Sequence, residues 1–234
     1  MLDVIYEDNQ IIVVVKPQNV PTQQDATNDP DMLSMVKEYV KEKYNKTGEA
    51  FVGLVHRLDR PTGGVMVFAR NSKSASRLSA QIKDGSFEKT YLTVVKGKPR
   101  QAKNRLVDYI KKDLRENKAR VVPMAEQDAK RSELEYEVLE TKDELSLLKV
   151  NLQTGRGHQI RVQLANIGNS VYGDAKYGKI DKTQNLKTSN LALWATVLRF
   201  NHPTQDKVML FKVYPPEEKA PWDKFNLEKY INLI

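Results

Sequence analysis

Phe51-Val52-Gly53-Leu54-Val55 and Val65-Met66-Val67-Phe68-Ala69 are two short β-prone runs, and between them lies His56-Arg57-Leu58-Asp59-Arg60-Pro61-Thr62-Gly63-Gly64. The pattern predicts two strands joined by a polar, Pro- and Gly-containing turn. That turn carries a carboxylate, two guanidiniums and an imidazole on a rigid support, which is how binding and catalytic groups are commonly held. An isolated Asp in a turn also has a plainer use, accepting backbone hydrogen bonds.

Upstream, Ile11-Ile12-Val13-Val14-Val15 is a continuous apolar run that reads as a strand buried on both faces, ended by Lys16-Pro17. Asp29-Pro30-Asp31 offers a helix start with Pro in the first turn, and the spacing of Met32, Met35, Val36, Tyr39, Val40 and Tyr44 predicts a helix over 31–45. Downstream, Ser72 is positioned to cap a helix whose Ala75, Leu78 and Ile82 share a face, with Gly85 closing it. A strand over 87–95 follows. Residues 134–139 and 145–152 read as a hairpin across Lys142-Asp143-Glu144. Thr154-Gly155-Arg156-Gly157 leads into a helix with Ile160, Leu164 and Ile167 on one face, closed by Gly168. Late strands fit 191–200 and 208–213, and 222–231 suits a short docking helix. Strands outnumber helices without βαβ alternation, so the class is α+β with a mainly antiparallel sheet.

The chain has 234 residues, 40% of them hydrophobic, enough for one sizeable core or two half-size lobes; a disordered or fibrous protein is excluded. Cysteine is absent, which removes disulfides, thiolate metal sites and thiol catalysis together. No run reaches the ~18–20 apolar residues of a membrane span. Met1 to Ile5 runs into Glu7 and Asp8 without a basic leader, so a cytoplasmic protein without membrane association is expected. Against 30 Asp+Glu stand 38 Lys+Arg, a net charge of +8. Lys96 to Arg131 holds twelve Lys/Arg and five Asp/Glu, a local +7 that leaves +1 elsewhere. A polyanion is the natural partner of such a segment; a solvated basic loop is the alternative.

Several chemistries fail on spacing. The His56 to Asp59 segment is unlike a kinase catalytic loop, since a residue intervenes and no Gly-rich phosphate loop accompanies it. Thr154 to His158 lacks the Gly-Lys-Ser/Thr ending of a nucleotide-binding loop. His56, His158 and His202 are too far apart in sequence for a metal motif, so no metal is expected. The site-like segments carry Gly63 and Gly157 where a nucleophilic hydroxyl might be sought, so covalent catalysis would need a carboxylate or amine.

Five ordered blocks give a specific resemblance. Ile12 to Pro17, His56 to Gly64 with its strand, Phe87-Glu88-Lys89-Thr90-Tyr91, Gly155 to Val162, and Gly173-Asp174-Ala175-Lys176-Tyr177-Gly178 together resemble the RluA-type pseudouridine synthase family over most of the chain. The resemblance implies a pseudouridine synthase fold: a mainly antiparallel mixed sheet in two fused subdomains flanked by helices. It implies an RNA uridine isomerase without cofactor, acting on rRNA or tRNA and not on DNA. It matches Asp59 to the catalytic aspartate, Tyr91 to the active-site tyrosine, Arg161 to the arginine pairing with that aspartate, and Arg57 to the residue that helps displace the target base. His56, Arg156, His158, Gln159 and Leu191 are implied at the substrate, although core packing suits Leu191 equally.

Each role is physically coherent. Isomerisation conserves atoms and redox state, so it calls for no energy source or redox cofactor. A buried Asp59 must stay ionised, and an arginine favours that form through charge and bidentate hydrogen bonds. Tyr91 has a ring on which a flipped base can stack and a phenol that can relay a proton, although a strand tyrosine is ordinarily core. Gly63, Gly157, Gln163 and Trp194 depart from the family pattern, where serine, threonine or serine, histidine and histidine stand. The strand leading to Lys16-Pro17 begins almost at Met1, so a single catalytic domain over 1–234 is expected, without an N-terminal S4-type RNA-binding domain and monomeric. Two other readings stay open: a non-catalytic RNA-binding or ribosome-assembly factor on the same fold, and a carboxylate-nucleophile glycosidase. The second needs a partner carboxylate, and Asp174, in the last of these blocks, better suits a turn.

Overall fold

The structure is a computed structural model that describes residues 2–45, 47–113, 115–178 and 190–233. The chain forms two compact units, one of residues 1–88 with 195–213 and the other of residues 89–194 with 214–234. The first is thus discontinuous in sequence.

In the first unit, β1 (Asp3–Glu7) pairs antiparallel with β2 (Ile11–Lys16). The other edge of β2 pairs antiparallel with β4 (Gly63–Ala69), from Ile11↔Ala69 to Lys16↔Gly64. With neighbours on both sides, Ile11 to Val14 are fully buried, as their unbroken apolar run requires. The run over 51–55 yields a strand of only two residues, β3 (Gly53–Leu54), opposite Ala69 and Phe68, and Phe51 is exposed. The cause lies in β4, whose second edge goes mainly to β10 (Leu193–Asn201), followed by β11 (Val208–Lys212). Gly64 makes that approach possible. It has φ +122°, and a Cβ there would fall on the Ala195 carbonyl oxygen and 2.6 Å from the Ala195 nitrogen. Gly64→Ala is expected to cost about 2–3 kcal/mol, read as a lower urea midpoint with unchanged m.

Two helices belong to this unit. α1 (Met32–Lys43) is capped by Asp31, whose carboxylate accepts from Ser34 N, so Pro30 lies before the cap and not in the first turn. α2 (Ser72–Asp84) is capped by Asn71 rather than Ser72, again through Ser74 N, and ends at Gly85 with φ +87°. Leu78 of α2 joins Ile11, Val13, Val65, Val67, Phe87 and Phe200 in one core. Each such side chain contributes ~1.5–3 kcal/mol on burial.

In the second unit the strand order is β5-β9-β8-β6-β7: β5 (Glu88–Lys96), β6 (Lys103–Asp113), β7 (Lys118–Val122), β8 (Lys130–Lys142) and β9 (Leu145–Leu152). All four pairings are antiparallel. The basic segment therefore forms two strands where weak alternation alone gives little signal. β8 and β9 are the expected hairpin, turning at Asp143 with φ +51°. α3 (Gln159–Asn166) sets Val162 against Ile110 and Ala119. The single docking helix expected over 222–231 is instead two 3-10 turns, Trp222–Lys224 and Leu227–Leu233, with Trp222, Phe225, Leu227 and Tyr230 buried. Among the described residues no helix is long and apolar enough to cross a membrane.

Candidate active site

The Asp59 turn is held by its backbone. Lys16 ends β2 and is completely buried, and its Nζ donates to the carbonyls of Pro17 at 2.9 Å and Arg60 at 3.0 Å. The Thr22 hydroxyl donates to Leu58 O at 2.8 Å and accepts from Leu58 N at 3.2 Å. Asn19 N donates to Arg60 O at 2.8 Å, Gln18 Nε2 to Pro61 O at 3.0 Å, and Thr62 N to Asp59 O at 2.9 Å. Residues 16–22 thereby clamp 58–62 from both flanks. Arg60 faces outward to Asp25 and Asp29, while Arg57 is exposed. Asp59 is half-buried, where the sequence suggests burial. His56 accepts from Val67 N at 3.1 Å and its ring lies 5.5 Å from Phe87, so it braces the start of the turn against β4.

Lys16 carries no expected role in the sequence, yet it is the buried cation of this turn. Burial pushes its ammonium down to about 7, while the charge of Asp59 acts to raise it. The unfolded chain keeps a proton that the folded chain sheds between pH ~7 and the ordinary lysine range, so this group makes folding more favourable as pH rises through that window. Wild type should gain on the order of 2 kcal/mol over Lys16→Met between pH 7 and 9, as measured by paired urea titrations. A constant difference across that range would refute the assignment.

The second unit gathers Tyr91, Leu191, Arg161, His158 and Gln159. Tyr91 is 6% exposed on β5, opposite Val150. The segment bearing Leu191 lies along the same strand: Val94 N and the Thr93 hydroxyl both donate to Ala192 O, at 3.0 and 2.8 Å. Arg161 is 4% exposed on α3, and its Nε and an Nη donate to the two carboxylate oxygens of Asp174, at 2.7 and 2.8 Å. Asp174 also accepts from Lys176 N and Tyr177 N. Its burial acts to raise the carboxyl pKa, but the Arg161 bonds and charge and those two amides hold it below the ordinary range. The turn expected at Asp174 is present, and the same carboxylate fixes Arg161, a link that spacing does not reveal.

His158 Nδ1 lies 2.7 Å from the Tyr177 hydroxyl, which in turn accepts from Ala119 N. Gln159, implied at the substrate, is 3% exposed. Its Oε1 accepts from Thr154 and Arg156 N, and its Nε2 donates to Glu133 O and Gln163, so its described bonds fold the turn upon itself. Arg156 is exposed and donates through Nε to Arg131 O. Gln163, which stands where the family has histidine, is fully buried and donates to Asp108 Oδ2 at 2.7 Å. That departure leaves a satisfied polar group.

The basic segment is less charged in effect than its composition states. Lys111 pairs with Glu126 inside the segment, while Lys103 pairs with Glu137 and Arg105 and Arg131 with Glu133, so two carboxylates just beyond Arg131 offset part of the +7. Among the described residues, no group of three or more His, Cys, Asp or Glu side chains is arranged to hold a metal ion.

Residues 10–166 match the model of the RNA pseudouridylate synthase family. The chain belongs to that family, in its RluA-type branch. It is 33% identical to an uncharacterized RNA pseudouridine synthase of Aquifex aeolicus, over 92% of this chain and 70% of the relative. It is 30% identical to ribosomal large subunit pseudouridine synthase D of Zymomonas mobilis, over 93% and 70%. The solved structure of human RNA pseudouridylate synthase domain containing 4 superposes with a TM-score of 0.75 at 20% identity, over 92% of this chain and 88% of that one. The expected fold, with two subdomains carrying mainly antiparallel strands, is the one observed.

Proposed function

We propose that the chain isomerises specific uridines of RNA to pseudouridine, with Asp59 as the catalytic carboxylate and Tyr91 and Arg161 as its partners in the reaction. In that reaction the bond between N1 of uracil and C1′ of ribose breaks, the base turns, a bond forms between C5 and C1′, the C5 proton leaves to solvent, and N1 takes up a proton in exchange. Atoms and electrons balance without a co-reactant. Arg57, exposed beside the Asp59 turn, is suited to fill the gap left by a flipped base. Ribosomal RNA is the favoured substrate, since relatives of this chain are named ribosomal large subunit synthases.

The observation that carries this reading is the clamped turn within the family match: Lys16, Gln18, Asn19 and Thr22 fix the backbone on either side of Asp59. The test is tritium release from RNA labelled at uridine C5. Release without free uracil supports the isomerase; free uracil would indicate a glycosidase. RNA binding without release would favour the assembly factor.

A further inference from the structure

Lys89 and Lys112 come from different strands, β5 and β6, yet both end on the Gly155-Arg156-Gly157 turn. Lys89 Nζ lies 3.7 Å from where a Cβ of Gly155 would stand, and Lys112 places Cδ at 3.8 Å and Nζ at 3.9 Å from the same point on Gly157. The β6 register explains the second approach. Ile110 packs with Ala119 and Val162, and Lys112, two residues on and opposite Ala119, shares that face. Its stem therefore runs toward the start of α3.

Unlike Lys103, Arg105, Lys111 and Arg131, neither Lys89 nor Lys112 has a carboxylate or hydrogen-bond partner among the described residues. Gly155, Arg156 and Gly157 are exposed, so the turn between the two ammonium groups is open to a ligand. Resting on the RNA reading above, we propose that Lys89 and Lys112, with the exposed Arg156 between them, form a seat for backbone phosphates of the substrate RNA. A phosphate chain suits two cations that lie over one three-residue turn and lack counter-charges. Burial holds the Lys89 ammonium below its ordinary range, a cost that an incoming anion would relieve.

The experiment uses the full chain carrying Asp59→Asn, so that binding is separated from turnover, and a fluorescein-labelled uridine 30-mer as probe. Affinity is read by anisotropy from 50 to 200 mM KCl. Each lost phosphate contact should lower the salt slope by about 0.7, so that this fourfold rise in salt weakens binding about 2.6-fold less. Lys112→Gln and Lys89→Met should each show that change, and Lys98→Gln, in the same basic segment, should not. Slopes unchanged in both lysine variants, or equal changes in the Lys98 control, would each overturn the proposal. Tritium release by wild type is scored separately: its absence defeats the isomerase reading, while the altered slopes would still establish the phosphate seat.

Discussion

Asp59→Asn should abolish tritium release from C5-labelled RNA, by about 10^3-fold or more, while leaving the thermal midpoint within about 2 °C of wild type. The two expectations come from the same geometry. Asparagine matches the shape of aspartate but is neither a nucleophile nor a charge, so a reaction that depends on the carboxylate loses it outright. The turn survives because it is fastened through the backbone of Leu58, Asp59, Arg60 and Pro61. A half-buried side chain outside those bonds can change without releasing them. Retained tritium release would remove Asp59 from the chemistry. A collapse of the midpoint would show that the carboxylate supports the fold, and activity loss would then say nothing about catalysis.

Asp174→Asn should have the largest effect on stability. The exchange keeps an oxygen able to accept from Lys176 N and Tyr177 N, so the turn bonds can persist, but it takes a bidentate carboxylate from a guanidinium that is 4% exposed. Breaking a buried pair on one side costs about 3–5 kcal/mol. In a chain of this size that lowers the thermal midpoint by on the order of 10 °C. The loss should follow pH with a defined sign. Asp174 is held below the ordinary carboxylate range, so its contribution is complete above that range and disappears as pH falls through the lower, folded value. Wild type and variant should accordingly converge in acid, as followed by urea unfolding at a series of pH values. Equal stability of the two at neutral pH would show that the pair carries no net weight.

Much of this architecture is legible from residues alone because its signals are local. Four consecutive buried residues in β2, the positive φ at Gly85 and the hairpin at Asp143 each follow from side-chain sterics or unbroken apolarity. The helix caps fall one residue from the expected starts, since Asp, Asn and Ser can all cap and the choice depends on the approaching chain. β3 is short because β10 claims the edge it would have used, a competition arising from residues some 130 positions away. For the candidate site, the expectation for Asp59, Tyr91 and Arg161 comes from ordered resemblance, while what surrounds them comes from the structure. Lys16 looks like a strand terminus in sequence, and its role depends on a carbonyl 44 residues on. The Arg161–Asp174 pair is equally invisible, since its spacing fits neither a helix turn nor a hairpin register.

The discontinuity of the first unit bears on how the chain is made. β10 and β11 emerge from the ribosome only after on the order of a hundred further residues, nearly all of the second unit, have been translated. At about 5–20 residues per second, the nascent sheet waits roughly 5–20 s with the long edge of β4 unpaired. That edge carries the fully buried run Val65 to Ala69, the kind of strand that recruits other chains when left open. Slowed elongation between residues 89 and 194 should therefore lower the yield of folded protein more than the same delay placed after residue 213.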